Sequence, residues 1–167
     1  MTSALTVSHI AVLVAAALLL IFAAINDARY YKIPNAVSLG LMALFPVFVL
    51  TALRTIEWDQ HVMVFGLVLI SGFIMFIGHL AGAGDIKLLA ATSLWAGPHL
   101  VAVFLIITAI AGGLLALIMA VLTYARNASG KHATIAFAKV PIPYGIAIAT
   151  GGLSTIYMLS QPLLFPS

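Results

Sequence analysis

The chain has 167 residues, of which 64% are hydrophobic and only 7% are charged, and it contains no cysteine. A soluble domain is roughly 45–50% apolar, so this composition excludes an ordinary soluble fold and indicates one membrane domain spanning residues 1–167. The absence of cysteine excludes disulfides, thiolate metal sites and cysteine nucleophiles. The net charge of +3 includes no basic arm, so no nucleic-acid partner is expected.

Apolar segments of about 20 residues, the length that crosses a bilayer, predict an all-α polytopic membrane fold with about six transmembrane helices. The first segment, residues 5–25, lacks the basic start of a cleaved signal peptide. It is also longer than the apolar region of a signal peptide, so it is interpreted as a transmembrane helix. A polar loop is expected from Asn26, with Pro34 excluding helix just before it. The later segments are predicted at residues 36–53, 61–80, 85–95, 100–124 and 144–159.

The fourth of these segments is unusually short and ends at Gly97-Pro98. About a dozen helical residues extend roughly 18 Å, which does not cross a hydrocarbon core of about 30 Å. Two interpretations remain open from the sequence. Either the glycine-rich residues 81–84 dip into the membrane, or the segment is a short and partly buried helix.

The distribution of lysine and arginine predicts the orientation of the chain, because loops on the inner side carry an excess of these residues. With the N-terminus outside, the outer loops hold only Arg54. The inner loops then hold the other six basic residues, Arg29, Lys32, Lys87, Arg126, Lys131 and Lys139. This orientation places Asp27 and Asp85 together on the cytoplasmic side.

The chain has four acidic residues, and two of them lie where ionisable groups are costly. Glu57 and Asp59 belong to a short outer loop and are interpreted as a solvated turn. Asp27 and Asp85 each lie at a membrane boundary. A purely structural interpretation makes Asp85 the N-cap of the fourth helix and makes Asp27 an interfacial anchor paired with Arg29 or Lys32.

The alternative interpretation is that Asp27 and Asp85 meet across helices and share one proton. The ionised carboxylate would take a proton from water while the protonated one polarises a peptide carbonyl. That is aspartic peptidase chemistry, which requires no metal and no cofactor. Gly82 and Gly84 fit this interpretation, because backbone without Cβ atoms leaves room for an extended peptide.

Three stretches resemble the prepilin peptidases, in the order in which that family carries them. GAGDIKLLAATSLWAG, residues 82–97, resembles their GxGD-x-K-L motif. DARYYKIPN, residues 27–35, resembles the segment with their other catalytic aspartate, which continues to Pro and Asn. KVPIPYG, residues 139–145, resembles the Pro-rich start of their last helix.

The resemblance implies a GxGD-type aspartic endopeptidase of the cell inner membrane. Such enzymes remove the basic leader of type IV prepilins on the cytoplasmic side, so the expected partners are a prepilin and the lipid bilayer. The matching positions are Asp27 and Asp85 as the catalytic pair, and Gly82, Gly84, Pro34, Asn35 and Lys87 as motif or substrate-binding residues, with no assigned role for Lys87.

The chain departs from the larger members of that family, which carry paired cysteines in a cytoplasmic segment and also methylate the new N-terminus. The chain shows no such segment, so methyltransferase activity is expected to be absent. The short form is similar first to the Tad/Cpa-type peptidases that process Flp-like pilins, and second to the archaeal preflagellin peptidases.

A second function stays open, a small proton-coupled transporter or channel in which Asp27 and Asp85 relay protons. It requires a polar path to the outer side, and the outer halves of the predicted spans carry almost no polar residues. The five histidines form neither HExxH nor a two-histidine helical spacing, so no zinc site is predicted. His79 is expected either to hydrogen-bond in the site or simply to pack.

Overall fold

A computed structural model describes residues 2–52, 55–128 and 142–164 of the chain. These residues form five α-helices and no strand, which confirms the all-α prediction. The helices are α1 (Thr2–Tyr30), α2 (Asn35–Thr51), α3 (Trp58–Ile77), α4 (Ala83–Ala128) and α5 (Tyr144–Leu164). Three of the basic residues used to predict the orientation, Arg54, Lys131 and Lys139, lie outside the described residues.

The predicted loop from Asn26 is wrong, because α1 continues through Asp27 and ends only at Tyr30. Tyr31 then adopts a left-handed conformation with φ 51°, a common way for a helix to end. Pro34 is extended, with φ −64° and ψ 134°, and α2 begins at the next residue. The connection between α1 and α2 is therefore only residues 31–34, and Asp27 belongs to the last turn of a helix rather than to a loop.

The predicted boundary between the fourth and fifth segments is confirmed at Gly97, where α4 departs from helical geometry with φ 57° and ψ −169°. This backbone region is essentially restricted to glycine. Pro98 has no N–H, so the carbonyl of Leu94 loses its helical partner. His61 Nδ1 donates a hydrogen bond to that carbonyl at 2.7 Å, so a side chain of α3 stabilises the break.

The two parts of α4 fold back on each other at this break. A Cβ at Gly152 of α5 would lie 2.7 Å from Thr92, and a Cβ at the neighbouring Gly151 would lie 2.8 Å from the Phe104 carbonyl oxygen. Thr92 and Phe104 are twelve positions apart and would be separated by roughly 18 Å in a straight helix. Because both reach the same point on α5, the chain reverses direction at Gly97.

The first part of α4, residues 83–96, is the most deeply buried stretch of the structure. Leu88, Ala90, Ala91 and Trp95 have almost no exposed surface and belong to the hydrophobic core. Of the two interpretations left open by the sequence, the short buried helix is therefore the one that the structure supports. Gly84 is already in the first turn of this helix rather than in a loop that dips into the membrane.

Six transmembrane spans are not confirmed. Within the described residues, three segments are long and apolar enough to cross a membrane, Ala4–Tyr30, Trp58–Ile77 and Ala83–Ala125, the last of which includes the break at Gly97. The α2 helix is apolar but has only 17 residues. In the bundle, α4 packs against α2, α3 and α5, whereas α1 packs against α2 and α5.

Candidate active site

Asp27 is buried in the last turn of α1, with 4% of its surface exposed, and it contacts the start of α5. Its Oδ2 accepts a hydrogen bond of 2.6 Å from the backbone N–H of Gly145, the second residue of α5. An N–H at this position has no partner within its own helix, and the positive end of the helix dipole favours a carboxylate. Asp27 therefore caps a helix other than its own and, in the described chain, forms no ion pair with Arg29 or Lys32.

Gly145 is a site residue that the sequence did not reveal. A Cβ there would lie 2.8 Å from Oδ2 and 2.9 Å from Cβ of Asp27, so only glycine allows this approach. Gly145 lies within the KVPIPYG stretch, yet 118 positions separate it from Asp27 and no local pattern links the two. The available signal was a glycine at the second position of a helix that follows a proline.

Asp85 is the third residue of α4, and its carboxylate turns back towards Gly82, the residue before the helix. Asp85 is therefore not the N-cap of α4, because it lies inside the first turn, where the helix dipole favours a carboxylate. A Cβ at Gly82 would lie 2.9 Å from Asp85 Oδ2, so this glycine permits the carboxylate to fold back.

The 31–34 loop is held against the same region by α1 and α4. Asn26 Nδ2 donates a hydrogen bond of 2.5 Å to the carbonyl of Lys32. A Cβ at Gly84 would lie 3.4 Å from the Ile33 Cβ and 3.7 Å from its carbonyl oxygen, so the glycine lets the loop approach the first turn of α4. Gly84 therefore serves the packing of this loop, whereas Gly82 accommodates a carboxylate.

Both carboxylates line one open cavity of about 850 Å³. Six of the seven site residues predicted from the sequence border this cavity, namely Asp27, Asp85, Gly82, Gly84, Pro34 and Asn35. The remaining wall includes the loop that connects α1 to α2 and Ile142 before α5. Two segments that are far apart in the sequence thus meet at one site.

Lys87, the seventh predicted residue, does not border the cavity. Two positions along a helix rotate a side chain by roughly 200°, so Lys87 points away from the direction of Asp85. Its Nζ donates a hydrogen bond of 3.1 Å to Oδ1 of Asn35, the first residue of α2. Lys87 therefore contacts a residue of the cavity wall rather than a carboxylate.

His79 follows α3 in a left-handed conformation with φ 56° and is exposed. It is not among the residues that border the cavity, so a hydrogen bond within the site is not found. Across the described residues, no three His, Cys, Asp or Glu side chains are grouped as metal ligands would be. The site therefore offers two carboxylates on one cavity, of which Asp27 is fixed by a backbone N–H, and this arrangement suits general acid–base chemistry on a bound water.

Residues 14–117 of the chain match the model of the Type IV leader peptidase family. The matched region includes both carboxylates and the glycines beside Asp85, whereas Gly145 lies beyond it. No match was found among the curated proteins or among the solved structures.

Proposed function

Because the chain belongs to the type IV leader peptidase family, we propose that it is an aspartic endopeptidase with Asp27 and Asp85 as its catalytic pair. Its proposed substrates are Flp-like type IV prepilins, whose leader it removes at the cytoplasmic face of the inner membrane. The observation that carries the proposal is that the two carboxylates border the same open cavity. The positive charges of Arg29, Lys32 and Lys87 at this end of the helices support the cytoplasmic orientation.

The proposed reaction begins with one carboxyl protonated and the other ionised, with a water between them. The ionised carboxylate takes a proton from the water, and the water oxygen bonds to the scissile carbonyl carbon. The carbonyl oxygen takes the proton of the other carboxyl, which yields a tetrahedral diol. The carbon–nitrogen bond then breaks, the amine leaves with the proton taken from water, and a diol hydroxyl returns its proton to the second carboxyl.

The site supports this sequence by holding both carboxylates in fixed positions. Two adjacent carboxylates do not readily ionise together, so they share a proton and titrate as a pair. The N–H group of Gly145 orients Asp27 before substrate arrives, and the absence of a Cβ at Gly82 leaves room for the Asp85 carboxylate. Such pre-organisation means that the protein does not have to rearrange its dipoles as the reaction proceeds.

The cavity also has the surface that an extended peptide requires. Its walls include Gly82 and Gly84, whose backbone is not covered by side chains, and the 31–34 loop. A scissile peptide must be extended to be attacked, and backbone edges of this kind pair with extended chains. The apolar Ile33 and Ile142 provide contacts for apolar residues of the substrate.

The test is cleavage of a synthetic Flp-like prepilin by the purified protein in lipid nanodiscs. Asp27→Asn and Asp85→Asn keep the shape of each side chain but cannot exchange the proton, so each is expected to lower the rate by about 10²–10⁴. Asp59→Asn is the matched control, because Asp59 is exposed in the first turn of α3, and it should cleave like the unaltered protein.

Cleavage at the normal rate by either active-site variant would refute the catalytic assignment. A second assay addresses the transporter alternative with the same samples. If the unaltered protein leaves the prepilin intact but dissipates a pH gradient across liposomes, and Asp27→Asn abolishes that flux, the carboxylates relay protons instead.

A further inference from the structure

The two carboxylates lie on helices whose backbones do not pack closely against each other. Asp27 belongs to α1 and Asp85 to α4, and within the described residues α1 packs against α2 and α5. Both α2 and α5 contact α1 as well as α4, so they help to set the relative position of the two carboxylates. The hydrogen bond between Asp27 and Gly145 forms the connection through α5.

The connection through α2 has its own polar contact, from Lys87 Nζ to Asn35 Oδ1. Asn35 begins α2 and also borders the catalytic cavity. Only residues 31–34 separate it from the end of α1, so a shift of Asn35 is passed directly to the turn that carries Asp27. Lys87 thus joins the first turns of α4 to the helix that follows α1.

Lys87 completes a set of contacts that hold the 31–34 loop at both ends. Asn26 binds the Lys32 carbonyl near the start of the loop, and Gly84 accommodates Ile33 in its middle. Asn35, directly after the loop, is held by Lys87. Gly84 and Lys87 both belong to the beginning of α4, which also carries Asp85.

The surroundings of Lys87 favour this hydrogen bond. Its side chain is exposed and borders two grooves of about 490 and 420 Å³, of which the first is otherwise apolar and the second also includes Asn35 and Ser38. One groove lies between α3 and α4, and the other adjoins α2. The Asn35 amide oxygen is the acceptor that the ammonium group reaches, and pairing of this kind lowers the cost of a charge at a membrane boundary.

On the premise of the peptidase function above, we propose that Lys87 is a positioning residue for the catalytic pair. Through Asn35 it fixes the start of α2 and the 31–34 loop, so that Asp27 and Asp85 face each other across the cavity. Lys87 itself touches neither the substrate nor the carboxylates. This role accounts for a lysine in the GAGDIKL stretch that points away from the cavity.

The principal test measures kcat and KM for prepilin cleavage by Lys87→Met, which keeps the length of the side chain but cannot donate. Displacement of a catalytic group by about 1 Å costs about 100-fold in rate, so kcat should fall by about that factor while KM changes little. Lys87→Arg retains donors and should recover most of the rate. Arg29→Met, which removes an exposed positive charge at the same end of the bundle, is the matched control and should behave like the unaltered protein.

A double-mutant cycle separates this role from a general structural one. If Lys87 acts through Asn35, adding Lys87→Met to Asn35→Ala should have little further effect on kcat. The pH–rate profile gives an independent readout, because carboxylates that move apart interact less. The two limbs of the profile should therefore lie closer together in Lys87→Met than in the unaltered protein.

Three outcomes would overturn the proposal. Lys87→Met could leave kcat unchanged, or it could raise KM while kcat is retained. It could also lower kcat by the same factor in the Asn35→Ala background as in the unaltered protein. If Lys87→Met fails to accumulate in membranes, Lys87→Leu and Asn35→Asp give the same comparison, and the second should retain activity because a carboxylate also accepts from Lys87. Failure of the peptidase function is distinguishable, because the unaltered protein itself would then not cleave the prepilin.

Discussion

At each end of the helix bundle, a backbone group without a partner in its own helix binds a side chain, but the two ends differ in which group is the donor. At the cavity end, the N–H group of Gly145 donates to the carboxylate of Asp27. At the other end, the carbonyl of Leu94 accepts from a histidine ring. An anionic acceptor thus meets a helix N-terminus at one end, and a ring donor meets a helix break at the other.

The end of the bundle opposite the cavity is packed with aromatic rings instead of being left open by glycines. The ring of Trp95, which is 1% exposed, lies 5.1 Å from that of Phe48 and 6.1 Å from that of Phe45. Trp95 Nε1 donates to the Leu41 carbonyl at 3.1 Å, and the His61 ring lies 5.4 Å from Phe45. These contacts join α2, α3 and α4 into one packed layer.

The comparison indicates that one end of the bundle provides chemistry and the other provides stability. The glycines at the cavity end keep about 850 Å³ open beside two carboxylates, which costs packing energy. Packing of the aromatic layer at the other end offsets part of that cost. Substitutions at the cavity end should therefore change cleavage more than unfolding, and substitutions in the aromatic layer should do the reverse.

Gly145→Ala should have the largest effect of the substitutions that probe this comparison. The added Cβ would meet both Oδ2 and Cβ of Asp27 at 2.8–2.9 Å, so rotation of the carboxylate alone cannot relieve the contact. Since a displacement of about 1 Å costs about 100-fold in rate, prepilin cleavage should fall by about that factor. Gly113→Ala is the matched control, because a Cβ there meets no atom within 4 Å. Normal cleavage by Gly145→Ala would show that the contact between Asp27 and α5 is dispensable.

Gly97→Ala should act chiefly on stability. Its φ of 57° disfavours any residue with a Cβ, at a cost of about 1–3 kcal/mol, and the added atom would overlap the His61 ring. The midpoint of thermal unfolding in nanodiscs should fall, while kcat per folded molecule is retained. Gly66→Ala in α3, where a Cβ meets open space, should leave the midpoint equal or higher. An unchanged midpoint in Gly97→Ala would argue against a structural role for the break.

His61→Phe should have the smallest effect. The substitution keeps a ring beside Phe45 but removes the donor to the Leu94 carbonyl, which Pro98 cannot satisfy. A lost hydrogen bond of this kind costs about 1 kcal/mol, measurable as a lower free energy of unfolding with unchanged kcat. The exposed His99→Phe controls for the loss of a histidine at this end. A loss of kcat in His61→Phe without a loss of stability would contradict the separation of roles between the two ends.

Much of the site followed from the sequence because its residues are rare in an apolar chain. Asp27 and Asp85 stand out among four acidic residues, and the GAGDIKL stretch marks the start of α4. The break at Gly97-Pro98 was equally visible, since glycine and proline interrupt helices through their own backbones. The predicted end of α1 is wrong, because polar residues such as Asn26 are typical of a loop, although the helix continues to Tyr30.

The sequence by itself determined the helical fold, its membrane setting, the position of the main helix break and the two carboxylates, because each depends on composition or on local backbone chemistry. Only the tertiary structure decided that Gly145 holds Asp27, that the Asp85 carboxylate lies against Gly82, and that Lys87 binds Asn35 instead of a carboxylate. The partners lie far apart in the chain, with 118 positions between Asp27 and Gly145 and 52 between Asn35 and Lys87. Their pairing depends on which helix ends the bundle brings together, and no local pattern specifies that.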